Sequence, residues 1–174
     1  VAFQGKNALP TFSGGLNTHL DAYNFFLDVS FYFAGGNKVY QDWAAYTSAS
    51  STRTTVTYNG TEDLLNRWQN PGDVTDVPKM EFVPSTFAAS TSTRFLYDGD
   101  YVRLRDITFG YNFKGSSLKD LGFDGLTMSV RGTNILTWVK DSRLKYDPEV
   151  NASGITTLTT PPVKSVVFSI NAKF

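Results

Sequence analysis

Apolar and polar side chains alternate residue by residue along several long stretches, most cleanly near the C-terminus. Across residues 164–174 the even positions include Val166, Phe168, Ile170, Ala172 and Phe174, while the odd ones include Ser165, Ser169, Asn171 and Lys173. A period of two with one apolar face predicts a β-strand. Upstream, Leu126, Met128, Val130, Leu136 and Trp138 alternate with Thr127, Ser129, Arg131, Thr133 and Thr137, interrupted around Gly132, Asn134 and Ile135. This predicts a strand of about 14 residues, against a usual length of about five or six. In the preceding segment Ile107, Phe109, Tyr111 and Phe113 are the apolar members, but before Asp106 the phase inverts and Val102 and Leu104 take that role. One extra residue near Arg105 or Asp106 restores continuity, so a β-bulge is expected there.

Two further strands come first. Phe12, Leu16 and Leu20 alternate with polar residues, as do Leu27, Val29, Phe31 and Phe33, and the short bend at residues 22–25 makes the pair a hairpin. Between residues 114 and 125, Ser117 and Asp120 have capping-box spacing, Leu118 and Leu121 share a helical face and Gly122 suits a stop, which predicts one helical turn. Two connections are long and polar. Residues 41–97 contain Ser/Thr clusters and Asn70-Pro71-Gly72-Asp73, with a helical stretch expected at 63–69 and a short strand at 52–58; residues 140–163 contain Asp147-Pro148-Glu149 and Pro161-Pro162. Short turns thus join the strands at one end and long loops at the other.

Composition narrows the classes. The 174 residues are 41% hydrophobic, 18% charged and 15% aromatic, which argues against disorder. With 16 basic and 16 acidic side chains, the basic domain expected of a nucleic-acid binder is missing. The absence of cysteine and the single histidine exclude a disulfide framework, a thiolate zinc site and an imidazole cluster. There is no nucleophile motif or phosphate loop, so no enzymatic activity and no cofactor are expected. The spacing of Asp147, Glu149 and Asn151 resembles the start of a calcium loop, but turn formation accounts for the same composition. The start at Val1, without initiator Met or signal peptide, reads as a processed or truncated piece.

Long alternating strands, loop asymmetry and aromatics at strand ends together describe a transmembrane β-barrel with apolar faces toward lipid. A soluble antiparallel sandwich, secreted and binding carbohydrate through loop aromatics, is the alternative, because alternation does not distinguish lipid from core. Five strands are too few for a complete barrel and would leave two edges unsatisfied in lipid. The expected fold is therefore all-β: an antiparallel transmembrane β-barrel segment, about five strands from the end of a larger barrel, with long extracellular loops.

Particular residues then suggest a family. Asp98-Gly99-Asp100-Tyr101-Val102-Arg103-Leu104-Arg105-Asp106-Ile107-Thr108-Phe109-Gly110-Tyr111-Asn112 resembles a strand near the end of SusC/RagA-family TonB-dependent outer-membrane transporters. Gly132-Thr133-Asn134-Ile135-Leu136-Thr137-Trp138, Tyr146-Asp147-Pro148-Glu149-Val150, Asn7-Ala8-Leu9-Pro10 and Gly36-Asn37-Lys38-Val39-Tyr40 are similar to other runs of that family, in the same order. The terminal Phe174 resembles its assembly signal. The resemblance implies a plugged barrel of roughly 22 strands, of which residues 1–174 are the C-terminal portion without the plug domain. It implies import of glycan or peptide fragments across the outer membrane of a Gram-negative bacterium, with a periplasmic C-terminus. The implied partners are the remaining barrel and plug, a SusD-like surface lipoprotein, the lipid bilayer, and TonB through segments not present here.

Candidate contact residues follow. Trp43, Tyr46, Trp68 and Tyr97 in the first long loop are candidates to stack on sugar rings or touch a lid protein, or else to pack the loop. His19, Asp21, Asp28, Arg131 and Lys173 are expected on the lumen side, contacting plug or substrate or simply pairing with one another. Tyr111, Phe113, Trp138 and Phe174 are expected in an aromatic girdle.

Overall fold

The computed structural model describes all residues except 1–4, 6, 48–56, 83–91 and 157–159. The chain divides into two compact units, one built from residues 10–36, 99–142 and 161–174, the other from 1–9, 37–98 and 143–160.

The first unit is a five-stranded antiparallel sheet. Its strands are β1 (Phe12–Ala22), β2 (Phe25–Gly35), β5 (Tyr101–Phe113), β6 (Gly125–Val139) and β8 (Ser165–Lys173), hydrogen-bonded in the order β1-β2-β5-β6-β8. The hairpin forms where expected. Tyr23 and Asn24 close it in two residues, both at positive φ (50° and 72°), the left-handed pair whose twist matches a β-hairpin. The helical turn α2 (Ser116–Asp120) also forms, with Gly115 at its N-cap and no side-chain cap. It stops at Gly122 (φ 85°), where the Gly122 N–H donates to the Lys119 carbonyl and the Phe123 N–H to the Leu118 carbonyl. These two bonds satisfy carbonyls that the helix end would leave open.

The bulge expected near Arg105 is present. Ser30 of β2 faces Asp106 and Phe31 faces Leu104, so Arg105 is the extra residue on that side. On the other side Leu104 faces Leu136 and Asp106 faces Thr133, leaving Asn134 and Ile135 opposite Arg105 alone. Asn134 sits at φ 53°. This second irregularity is the physical cause of the blurred alternation in β6, because each bulge shifts the phase of the face.

Across the ladder the apolar members fall into rows such as Phe33, Val102 and Trp138, or Leu27, Phe109 and Val130. Many of these side chains are exposed, among them Leu16, Leu20, Phe109, Met128, Trp138, Phe168 and Ile170.

The second unit is where the sequence reading fell short. Residues 41–97 and 140–163 do not serve only as polar loops. Strand β3 (Lys38–Gln41) pairs antiparallel with β4 (Leu96–Asp98) and parallel with β7 (Ile155–Thr156), giving a sheet of order β4-β3-β7. Val39, Tyr97 and Leu144 form its small core, with Val150 packed against them. Lys38 and Asp98, register partners, form an ion pair at 3.0 Å. Gly154 (φ 69°) lies so close to Ala8 that an added Cβ would stand 2.6 Å from the Ala8 Cβ. That approach lets the Gly154 carbonyl accept from the Tyr40 N–H at 2.8 Å. The helical stretch expected at 63–69 is a 3-10 turn at Glu62–Asn66, and α1 occupies Ala44–Thr47. Of the strand expected at 52–58, residues 52–56 lie outside the described residues.

The expectation of a transmembrane β-barrel segment is corrected by this topology. The described residues form two separate open sheets and no closed barrel, since β1 and β8 stand at opposite edges of the larger sheet and do not pair. The reason for the error is physical. Alternation reports that a strand has one apolar and one polar face, and an open sheet satisfies that as fully as a closed one. Two sheets are closer to the alternative two-sheet expectation. No helix among the described residues is long and apolar enough to cross a membrane, which leaves strands unaddressed.

Candidate functional site

Four groups of side chains offer chemistry, one in the smaller-sheet unit and three on the five-stranded sheet. In the former, Trp43 and Tyr46 pack at 5.1 Å between ring centroids, and Tyr58 meets both rings edge-on at 5.2 and 5.7 Å. Trp43 immediately precedes α1 and Tyr46 lies within it, so a single turn brings the two rings to one side. Tyr46 and Tyr58 stay exposed. The other two expected contact residues lie elsewhere. Trp68 is half-buried, and its backbone N–H donates to the Val77 carbonyl at 2.9 Å. Tyr97 is a core residue, with the Arg143 guanidinium 5.4 Å above its ring. Tyr58 was not among the residues anticipated from the sequence, and nothing in the local pattern there marks it.

On the polar face of the five-stranded sheet, the strand register collects the expected charges in two groups. His19 of β1 faces Asp28 of β2, and its Nδ1 lies 2.6 Å from the Asp28 Oδ1. Its Nε2 lies 2.5 Å from the Oδ2 of Asp21, two residues along the same strand. Hydrogen bonding to Asp28, then to Asp21, raises the His19 pKa above its ordinary value. On β6, Arg131 donates from Nε and Nη2 to the Asp106 Oδ1 at 2.9 and 2.7 Å, and Thr133 joins the same oxygen at 3.1 Å. Asp106 was not foreseen as the partner of Arg131, although the inferred phase change at Arg105 already placed it on the polar face. Lys173 is not part of either group; it pairs with Gly125 at the far edge strand.

The fourth group surrounds Trp138. A cavity of about 380 Å³ is lined by Phe12, Phe33, Tyr101, Val102, Trp138 and Val139, with Asp100 and Lys140 also on its wall. Those two side chains pair at 3.1 Å. At the other end of the sheet Tyr111 contacts Phe25 and Phe113 at 4.5 and 4.7 Å, and Phe174 contacts Phe123 at 5.0 Å. The residues expected in a girdle therefore sit at both ends of the strands. Among the described residues no group of three or more His, Asp or Glu side chains could hold a metal ion.

Asp73 illustrates the turn chemistry that the Asp/Asn/Gly composition suggested. Its Oδ2 accepts the N–H groups of Asn70 and Gln69 at 2.8 and 2.9 Å, which holds the carboxyl below its ordinary pKa. Glu149 donates its N–H to Asp147, and Ser153 donates to Asn151, in two further turns of this kind.

No family model matches the chain. It is 28% identical over 174 residues to TonB-dependent receptor P3 of Formosa agariphila, covering 95% of this chain. To TonB-dependent receptor P39 of the same organism it is 26% identical over 176 residues, covering 97%. The chain spans 16% of the length of each of these relatives. Among solved structures, the RagAB peptide importer in its open-open state matches with a TM-score of 0.79 at 23% identity, over 97% of this chain and 18% of that one. The closed-closed state gives 0.77 over 98% of this chain. The chain is therefore similar over nearly its whole length to part of two TonB-dependent receptors, and similar in fold to part of a peptide importer.

Proposed function

We propose that this chain serves TonB-dependent uptake at the outer membrane of a Gram-negative bacterium, contributing a surface that handles incoming glycan or peptide fragments. The observation that carries this reading is the alignment of nearly the whole chain with TonB-dependent receptors. The likeness in fold to a peptide importer supports it. On this reading the chain works with the remaining segments of a longer protein, with a SusD-like surface lipoprotein, and with TonB acting through segments other than these residues. The Trp43, Tyr46 and Tyr58 rings are the contact surface for substrate or lipoprotein, because rigid aromatic side chains give large contact area at little entropic cost.

The test is fractionation and growth. The full-length protein is expected in the outer membrane, co-purifying with a surface lipoprotein, and its deletion is expected to abolish growth on fragments but not on their monomers. Recovery of the full-length protein in the soluble periplasmic fraction would overturn the reading.

A second reading is a secreted two-sheet binding module for carbohydrate. The presence of two separate open sheets favours it over a closed barrel. It requires residues 1–174 alone to be soluble, to unfold cooperatively and to bind an oligosaccharide in calorimetry. Aggregation without detergent would count decisively against it.

A further inference from the structure

We propose that Asn59-Gly60 is a site of spontaneous covalent rearrangement, and that the rearranged backbone loosens the Tyr58 end of the aromatic trio. It is the single Asn-Gly pair among the 174 residues. Glycine carries no Cβ, so its backbone nitrogen approaches the preceding side chain without the steric barrier that other residues impose. The chemistry depends on these two residues and on water, whatever the whole protein transports.

The step is an intramolecular acyl transfer. The Gly60 backbone nitrogen, giving up its proton to water or hydroxide, attacks the Asn59 Cγ. A bond forms between that nitrogen and Cγ, the bond from Cγ to Nδ2 breaks, and the amide nitrogen leaves as ammonia. The resulting succinimide ring then takes up one water at either of its carbonyls. Opening at one carbonyl gives aspartate. Opening at the other gives isoaspartate, in which the main chain runs through the former side chain and gains a methylene. No oxidant, metal or enzyme enters the balance.

Local structure leaves the pair free to react. Both residues lie outside helix and strand and are exposed within their unit. Among the described residues no hydrogen bond holds the Asn59 side chain or the Gly60 N–H. Other asparagines are placed differently. Asn70 precedes Pro71, which has no N–H to attack with, and Asn17, Asn112 and Asn171 lie in long paired strands. Asn66, in the 3-10 turn and followed by Arg67, is the natural control.

The position gives the rearrangement its consequence. On one side the Tyr58 ring is held against Trp43 and Tyr46, at 5.2 and 5.7 Å between centroids. On the other, the Thr61 N–H donates to the Thr47 carbonyl at 2.9 Å. Tyr46 and Thr47 both belong to α1, so residues 58–61 form a short strap fastened at each end to one helical turn. A methylene added between the fastenings lengthens the strap and works against holding both at once. The new carboxylate also joins Glu62 and Asp63 in a stretch, residues 57–66, that contains no basic side chain, so like charges gather there.

The test ages the purified full-length protein at neutral and at mildly alkaline pH. Tryptic peptide 54–67, which holds both Asn59 and Asn66, is then sequenced by electron-transfer fragmentation to tell aspartate from isoaspartate. Asn59 is expected to convert several-fold faster than Asn66, and faster at the higher pH, giving both products. In the aged protein, amide exchange across residues 57–61 should be several-fold faster than in fresh protein, while β6 peptides change little. Gly60→Ala should slow the conversion several-fold, and Asn59→Gln should keep exchange in the aged protein at the fresh level. Conversion of Asn59 no faster than that of Asn66 overturns the proposal. So does full conversion with unchanged protection across 57–61, since the strap would then tolerate the added methylene. If Gly60→Ala fails to fold, the Asn59→Gln comparison decides, because it leaves Gly60 in place.

Discussion

Asn134 of β6 stands opposite Arg105 of β5 at φ 53°, together with Ile135 occupying the space of one residue in the facing strand. The left-handed conformation is what absorbs the extra residue, and Asn is the non-glycine residue type that tolerates it most readily. The Asn134 Nδ2 also donates to the Val163 carbonyl at 3.2 Å, tying the bulge to the segment leading into β8.

Replacing Asn134 by Val should therefore destabilise the sheet by about 1–3 kcal/mol, because a β-branched residue is strained at positive φ. Asn134→Gly should cost much less, losing the side-chain bond but not the conformation. Equilibrium denaturation of both variants compares them, and equal losses would show that the hydrogen bond, not the backbone, dominates.

Gly110 and Phe26 are cross-strand partners, and the Phe26 ring lies over the glycine so closely that an added Cβ would collide with its Cζ. The Met128 carbonyl oxygen, 3.0 Å away, limits escape on the other side. Gly110→Ala should cost about 1–3 kcal/mol through overpacking. In a Phe26→Ala background the same change should cost less, and a double-mutant cycle measures the coupling. Strict additivity would mean the ring moves aside freely.

Asp73 gives the acid limb of stability a local contribution. Its carboxylate is held below the ordinary value of 3.8 by two backbone N–H donors, so the stabilisation is present above that value and disappears as pH falls through the lowered one. Amide exchange at Gln69 and Asn70 should accelerate over that interval. Asp73→Asn should remove the pH dependence, since the neutral amide oxygen accepts the same bonds without titrating.

The aromatic trio separates function from packing. Trp43→Ala should weaken substrate uptake by about tenfold or more if the trio is the contact surface, as expected for an aromatic anchor. Trp68→Ala, outside the trio, should change it little. The measurement is concentration-dependent uptake by whole cells with matched surface levels of receptor. An equal loss for both variants would point to folding of the unit instead.

Long strands were legible because β1, β2, β5, β6 and β8 run 9 to 15 residues, long enough for a period of two to stand out. The bulge was legible for the same reason, as a break in phase at Arg105. The smaller sheet was not. Its strands run two to four residues, too short to carry a period, and it joins Tyr40 to Ile155, far apart along the chain. The same limit hid Tyr58, whose ring meets those of Trp43 and Tyr46 across a separation in sequence that no local period reports. His19, Asp21 and Asp28 could be named from alternation as sharing a polar face, but not the distances that make them a triad.

The sequence by itself determined which residues form the five long strands, which face of each is apolar and where the alternation slips, because side-chain direction alternates with the pleat whatever the strand pairs with. Tertiary structure alone decided which strands pair, that β1 and β8 do not pair with each other, and which two carboxylates meet one imidazole. Those outcomes depend on register and on contacts between distant segments, and a local pattern of apolar and polar positions is the same for every arrangement that keeps each face on its proper side.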